Sequence, residues 1–169
     1  MNSQAYRATL PSQALALVAA FSITFLAATA GGIASVNATS FYAQLVKPSW
    51  APPAWVFGPV WLVLYTLMAL AVWLAWRAVG FPQAKVAVQL FLAQLIANAL
   101  WSWLFFAWRF GALALADVIA LWALLAATLA AFWRIQRLAA VLLVPYLAWV
   151  TLAAALTLAV WHLNPTLLG

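Results

Sequence analysis

The chain offers very few groups able to do chemistry. It has one carboxylate, Asp117, and one imidazole, His162, in different apolar stretches, and it has no cysteine. General acid–base catalysis needs a positioned acid and base, nucleophilic catalysis needs an activated Ser or Cys, and a metal site needs several converging ligands. None of these can be assembled from this set, no Gly-x-Ser-x-Gly arrangement supports a Ser–His pair, and a disulfide scaffold is excluded.

The sequence does offer polar groups set at helical spacing into aromatic surface. Gln94, Asn98, Trp101 and Phe105 stand at i, i+4, i+7 and i+11, which is one face of a helix. Phe57, Trp61, Tyr65 and Met68 form a second stripe, and Tyr146, Trp149, Ala153 and Thr157 a third, beside Pro145, which can kink its helix. Two readings stay open. Gln94 and Asn98 either tie helices together through hydrogen bonds of about 1 kcal/mol each, or they line a pocket with aromatic walls, as small-molecule sites do. Asp117 also has two readings, since an ionised carboxylate roughly two turns into an apolar stretch is costly. It is a proton or substrate site, or it makes a structural hydrogen bond or pairs with Arg109; the structural role is favoured. Upstream, Lys47-Pro48-Ser49-Trp50-Ala51-Pro52-Pro53-Ala54-Trp55 is rich in Pro and Trp. Proline lowers the entropy lost when such a segment orders, so it serves as a stiff connector or as a lid.

These stripes need elements to hold them. Of the 169 residues 70% are hydrophobic and only 5% charged, and the mean hydropathy is +1.12. A soluble domain carries about 25% charged residues, so a water-facing globule is excluded, and disorder is excluded by the apolar excess. The net charge of +6 is scattered rather than gathered on one face, which argues against nucleic acid as a partner. A membrane span needs about 20 apolar residues, and the charged residues cut the chain at nearly that interval into stretches 13–32, 54–76, 86–108, 111–133 and 138–161. The fold expected is an all-α integral membrane protein. It forms one domain over 1–169, a single bundle of five transmembrane helices with a long Pro/Trp-rich first loop, 33–53. The first stretch, with Arg7 before it and small residues near Gly31, resembles a cleavable secretory signal. Its apolar core exceeds the usual 7–15 residues, so it is read as a retained span.

Arg7, Arg77, Lys85, Arg134 and Arg137 fall at one set of loops and Lys47 and Arg109 at the other, which puts the N-terminus inside and the C-terminus outside. Trp50, Trp55, Trp76, Trp108, Trp133 and Trp161 lie near span ends, where indoles prefer the interface. Inverted repeats of the transporter kind do not show. Ala93 and Ala97 form a small-xxx-small pair suited to dimerisation.

The loop and stripes closely resemble the translocator protein family, also called tryptophan-rich sensory proteins (TspO) or peripheral-type benzodiazepine receptors. The resemblance rests on Tyr42…Leu45…Lys47-Pro48-Ser49-Trp50…Pro52-Pro53…Trp55-Val56…Gly58-Pro59-Val60-Trp61…Leu64-Tyr65. Three further blocks follow in order: Gln94-Leu95…Asn98…Leu100-Trp101…Phe105-Phe106, then Ala114…Asp117, then Val144-Pro145-Tyr146-Leu147-Ala148-Trp149. It covers most of the chain, from about Phe41 to Asn164. It implies a five-helix bundle, usually homodimeric, whose pocket under the first loop binds porphyrins and synthetic isoquinoline or benzodiazepine ligands. By position it places ligand contacts on Trp50, Phe57, Trp61, Tyr65, Asn98, Trp101, Trp149 and Ala153, with Lys47 able to meet a propionate at the mouth. No cofactor is required; protoporphyrin or haem is the implied ligand. The implied role is a sensor, scavenger or carrier of tetrapyrroles. The alternatives are an enzyme that degrades protoporphyrin in light and oxygen through Trp61 or Trp149, or a transporter with real turnover. The cholesterol-recognition segment of animal members is incomplete here, since Leu158 stands for its Tyr and His162 for its Arg.

Overall fold

The structure is a computed structural model that describes residues 9–169, so Arg7 lies outside the described residues. Within them all the regular structure is helical. In order it forms α1 (Leu10–Ala34), α2 (Ala38–Gln44), a 3-10 turn (Ala54–Val56), α3 (Phe57–Ser102) running on into a π-helical turn (Trp103–Ala107), α4 (Gly111–Ile135), α5 (Arg137–Leu163) and the short α6 (Pro165–Leu168). Four helical stretches are long and apolar enough to cross a membrane: Leu10–Ala34, Ala54–Ala107, Gly111–Ile135 and Arg137–Leu163. They carry large apolar side chains on their outer faces too, among them Leu15, Leu26, Ile96 and Ile119. Helices apolar on all sides are stable in lipid and not in water. The family of folds is therefore that of an integral membrane protein.

The second stretch is 54 residues long, about twice what a bilayer needs. It doubles back. Gly80 leaves the helical region at φ 77, ψ 171, a left-handed conformation that glycine adopts at little cost. Pro82 follows, placing its missing N–H in a first turn where no intrahelical acceptor exists. The Tyr65 hydroxyl donates to Asn98 Oδ1, and Gln94 Nε2 lies 3.9 Å from Met68 Sδ, contacts that a straight helix forbids. Arms 57–79 and 81–102 hence lie side by side. The sequence suggests a loop between Arg77 and Lys85; a single non-helical residue makes the reversal instead. Similarly, α1 runs through Gly31-Gly32 to Ala34, where the Ser35 hydroxyl donates to Gly31 O at 2.9 Å, and the first loop contains α2.

Four long-range hydrogen bonds define two ends. Trp103 Nε1 donates to Ala30 O (3.1 Å), and the Asn164 amide both accepts from Val46 N (2.8 Å) and donates to Val46 O (2.9 Å). These gather the end of α1, the first loop, the π turn and the end of α5. Gly111 sits there too, beneath Trp161, whose ring occupies the place a Cβ would take. At the opposite end, Trp73 Nε1 donates to Gln13 O at 3.0 Å, bringing the start of α1 to the Gly80 reversal. The turn at Gln136 between α4 and α5 lies at this end as well. Arg77, Lys85, Arg134 and Arg137 thus share one end, and Lys47 and Arg109 the other. The core between them is built on fully buried Met68, Phe91, Leu125, Phe132, Leu143 and Tyr146.

Candidate functional site

A cavity of about 300 Å³ opens under the first loop at the Lys47 end. The α3 stripe forms one wall, with Phe57, Trp61 and Tyr65 at successive turns of the first arm and Asn98 and Trp101 on the second. Helix α1 supplies a floor of small residues, Ala28, Gly31, Gly32 and Ser35, and α2 contributes Thr39 and Tyr42 to the roof. The roof is held from within. The Tyr42 hydroxyl donates to Pro52 O at 2.8 Å, and Lys47 Nζ donates to Tyr42 O (2.7 Å) and Leu45 O (2.8 Å) while lying 4.9 Å from the Tyr42 ring centre. Lys47 therefore closes the loop on itself rather than facing the cavity mouth. Burial pushes the Tyr42 phenol above its ordinary range, because the phenolate would lose its water.

Behind the aromatic wall runs a chain of buried polar groups. Tyr65 donates to Asn98 Oδ1, Asn98 Nδ2 to Tyr146 Oη (2.9 Å), and Tyr146 to Gln94 Oε1 (3.0 Å). Each group uses its donor on the next, so both arms of α3 and α5 are pinned in one register. For Gln94 the tying role is what the structure shows. Asn98 does both, since it completes the chain and lines the cavity.

The expected site residues divide. Phe57, Trp61, Tyr65, Asn98 and Trp101 come together in the cavity. Trp149 and Ala153 do not reach it; with Thr157 they line a separate cleft of about 20 Å³, room for one water-sized molecule. Phe57 divides the two spaces, its ring 5.7 Å from Trp149 on one side and 5.4 Å from Tyr42 on the other. Trp50 remains on the surface, about half exposed. Trp101 Nε1 and Thr157 Oγ1 are buried without hydrogen-bond partners, and both residues border the small cleft.

Two contributions escaped the sequence reading. The α1 floor was legible only as a glycine pair that read as a terminus. Phe106 was missed because a helical period of 3.6 puts Phe105, not Phe106, on the Trp101 face. The π turn, closed by Trp108 N donating to Trp103 O at 2.8 Å, adds one residue to that step. It brings Phe106 to the cavity edge-on to Trp101, at 5.7 Å.

Asp117 stands apart. Its Oδ2 is buried with no hydrogen-bond partner, and the pairing expected with Arg109 is not made, because that guanidinium lies over the Phe41 ring at 4.8 Å. No cluster of three or more metal-ligating side chains occurs among the described residues.

With this geometry in place, comparison with known proteins decides the family. Residues 15–162 match the TspO/MBR family. The chain belongs to it. It is 41% identical over 146 residues to the tryptophan-rich sensory protein of Cereibacter sphaeroides, covering 84% of this chain and 90% of that one. It is 39% identical over 132 residues to the tryptophan-rich protein TspO of Chlorobaculum tepidum, covering 76% and 82% of the two chains. With the translocator protein of Homo sapiens it shares 41% identity over 126 residues, 73% of this chain and 75% of that one. The TspO/MBR match spans α1 through the end of α5, so cavity, polar chain and loop all lie within it.

Proposed function

We propose that this TspO/MBR protein is a five-span membrane bundle, N-terminus inside, that binds a tetrapyrrole such as protoporphyrin or haem beneath its first loop, as a sensor, scavenger or carrier. The cavity carries this reading. Three aromatic rings at one-turn spacing suit the face of a macrocycle, and Asn98 with the Ser35 and Thr39 hydroxyls supplies the few polar contacts such sites use. Two features of fit follow. About 300 Å³ is at the small end for ligand pockets, so a tetrapyrrole enters with one edge and lifts the α2 roof. Among the described residues no cation lines the cavity, so the propionates remain at the mouth, toward water. The relatives named as sensory and translocator proteins fit a ligand-responsive role, and the doubled α3 supplies the fifth span. The sidedness is supported by four described cations at the Gly80 end against two at the loop end.

Titrating protoporphyrin into purified protein tests the reading. Saturable quenching of tryptophan emission at one site per chain is expected, and quenching indistinguishable from that of a detergent blank would refute it. A C-terminal reporter is expected outside. A second reading, light-driven breakdown of protoporphyrin, is favoured by one observation: the Trp61 ring in the cavity wall contacts Tyr65 (5.5 Å) and Tyr146 (6.1 Å), phenols able to reduce an oxidised indole. Binding that persists in dark, oxygen-free buffer while breakdown stops separates the two.

A further inference from the structure

A second concave site lies on the outside of the bundle at the Lys47 end, separate from the aromatic cavity. It is a groove of about 310 Å³ between the end of α1, α2 and the π turn. Arg109, Asn37, Ser40 and Gln44 form its polar rim, and Phe41 and Trp103 its apolar base. The rim is built rather than incidental. The Ser40 hydroxyl donates to Asn37 O (2.9 Å) and Gln44 Nε2 to Ser40 O (3.1 Å), which fixes that side of α2. Arg109 is held at φ 59, a left-handed conformation unusual for a side-chain-bearing residue. The bonds Trp108 N to Trp103 O and Phe110 N to Leu104 O, both 2.8 Å, clamp it from either side. Its guanidinium is set over Phe41 at 4.8 Å, leaving its edge donors for another group.

Charge balance says what that group is. The chain has a single acidic side chain, Asp117, whose Oδ2 is enclosed within the bundle. Among the described residues no acidic side chain pairs with Arg109, which leaves its guanidinium open to an anion from solvent or lipid. Trp108 and Phe110, each about half exposed, flank it and mark the depth of the membrane–water interface. Lipid headgroups place phosphates at that depth, and the forked guanidinium matches their oxygens. We infer that the Arg109 groove binds a phosphate group, with Arg109 and the Asn37 amide as donors and the exposed Ile33 and Val36 of its lining bearing on whatever apolar chain is attached. Guanidinium is suited to this by its fork of parallel donors.

The test uses the full-length protein in detergent. Native mass spectrometry counts retained dioleoyl phosphatidylglycerol against dioleoylglycerol, which has the same chains and no phosphate, and thermal unfolding is followed with and without inorganic phosphate. Wild-type protein is expected to retain the anionic lipid preferentially. Arg109→Gln should cut that preference by about tenfold, the fold-change expected for one charge-assisted hydrogen-bonded contact. Arg109→Gly, which suits the left-handed backbone and so guards against misfolding, should lose it equally. Lipid retention that depends on Arg109 with no response to inorganic phosphate supports a headgroup as the source. An Arg109-dependent rise in unfolding temperature with inorganic phosphate supports the free anion. Both variants keeping the wild-type lipid preference and phosphate response would overturn the site.

Discussion

Trp61 and Trp149 are both pocket tryptophans by helical spacing, yet the fold treats them differently. Trp61 faces a cavity of about 300 Å³ walled by α1 and both arms of α3, whereas Trp149, on α5, lies between an internal cleft of about 20 Å³ and an outward-open groove that Pro59, Val63 and Pro145 also line. Three rings, Phe57, Trp101 and Phe106, stand between them, each lining both spaces. The difference teaches that a stripe fixes which face of a helix looks inward, but not which neighbour it meets. A ligand under the first loop touches α3 directly and reaches the Trp149 cleft only if these rings move, Phe57 being the one packed on Trp149.

The largest expected effect follows at once. Trp61→Ala should weaken protoporphyrin binding by about 3 kcal/mol, or roughly a hundredfold, the scale of a large aromatic truncation. Trp149→Ala should cost about 1 kcal/mol or less, the scale of one ring contact. Fluorescence titration of both variants checks this. Equal losses would mean that ligand binding merges the two spaces; with unequal losses, Phe57→Ala should raise the Trp149 effect toward that of Trp61.

Next in size is the contrast between the two buried polar features. Asn98→Leu leaves the Tyr65 and Tyr146 hydroxyls short of partners, at a cost of about 2–3 kcal/mol. Asp117→Asn loses no hydrogen bond at Oδ2 and should shift stability by less than about 1 kcal/mol. Thermal unfolding in one detergent compares them, and a larger loss at Asp117 would make it the structural residue and Asn98 the dispensable one. Gly80→Ala forces a Cβ into φ 77 and should cost about 1–2 kcal/mol, without changing ligand affinity in the fraction that folds. The smallest effect concerns the roof. The Tyr42 phenol, raised by burial, stays protonated at a pH where an unfolded tyrosine ionises. The unfolded state then holds fewer protons, so this contribution is complete below about pH 10 and declines as pH rises through the folded value. A Tyr42→Phe variant should show a shallower alkaline fall in unfolding temperature.

Much of this was legible beforehand. Apolar length and charge spacing give the helices, and the period of 3.6 gives Phe57, Trp61, Tyr65, Asn98 and Trp101 as one group. The failures have physical causes. Gly80 turns α3 in one residue because a positive φ needs no loop, so the interval between Arg77 and Lys85 read too long. Phe106 was lost where the helix changes its hydrogen-bond step. Lys47 was expected to meet a propionate at the mouth, and the loop carbonyls that hold it are a tertiary fact. Ala97 reads as a dimer contact but is 8% exposed within the single chain; the outer face of that arm carries Ile96 at 70%.

On this reading the tetrapyrrole sits in the space enclosed by α1, α2 and α3. Filling it tests this most directly. Ala28 lies in the α1 floor of the cavity, so Ala28→Phe places a ring in open volume while leaving Trp61, Tyr65 and the Asn98 chain untouched. Protoporphyrin titration of this variant, with its unfolding temperature measured alongside, should show binding lost and the fold retained. Wild-type affinity in a folded Ala28→Phe protein would put the ligand elsewhere and contradict the account.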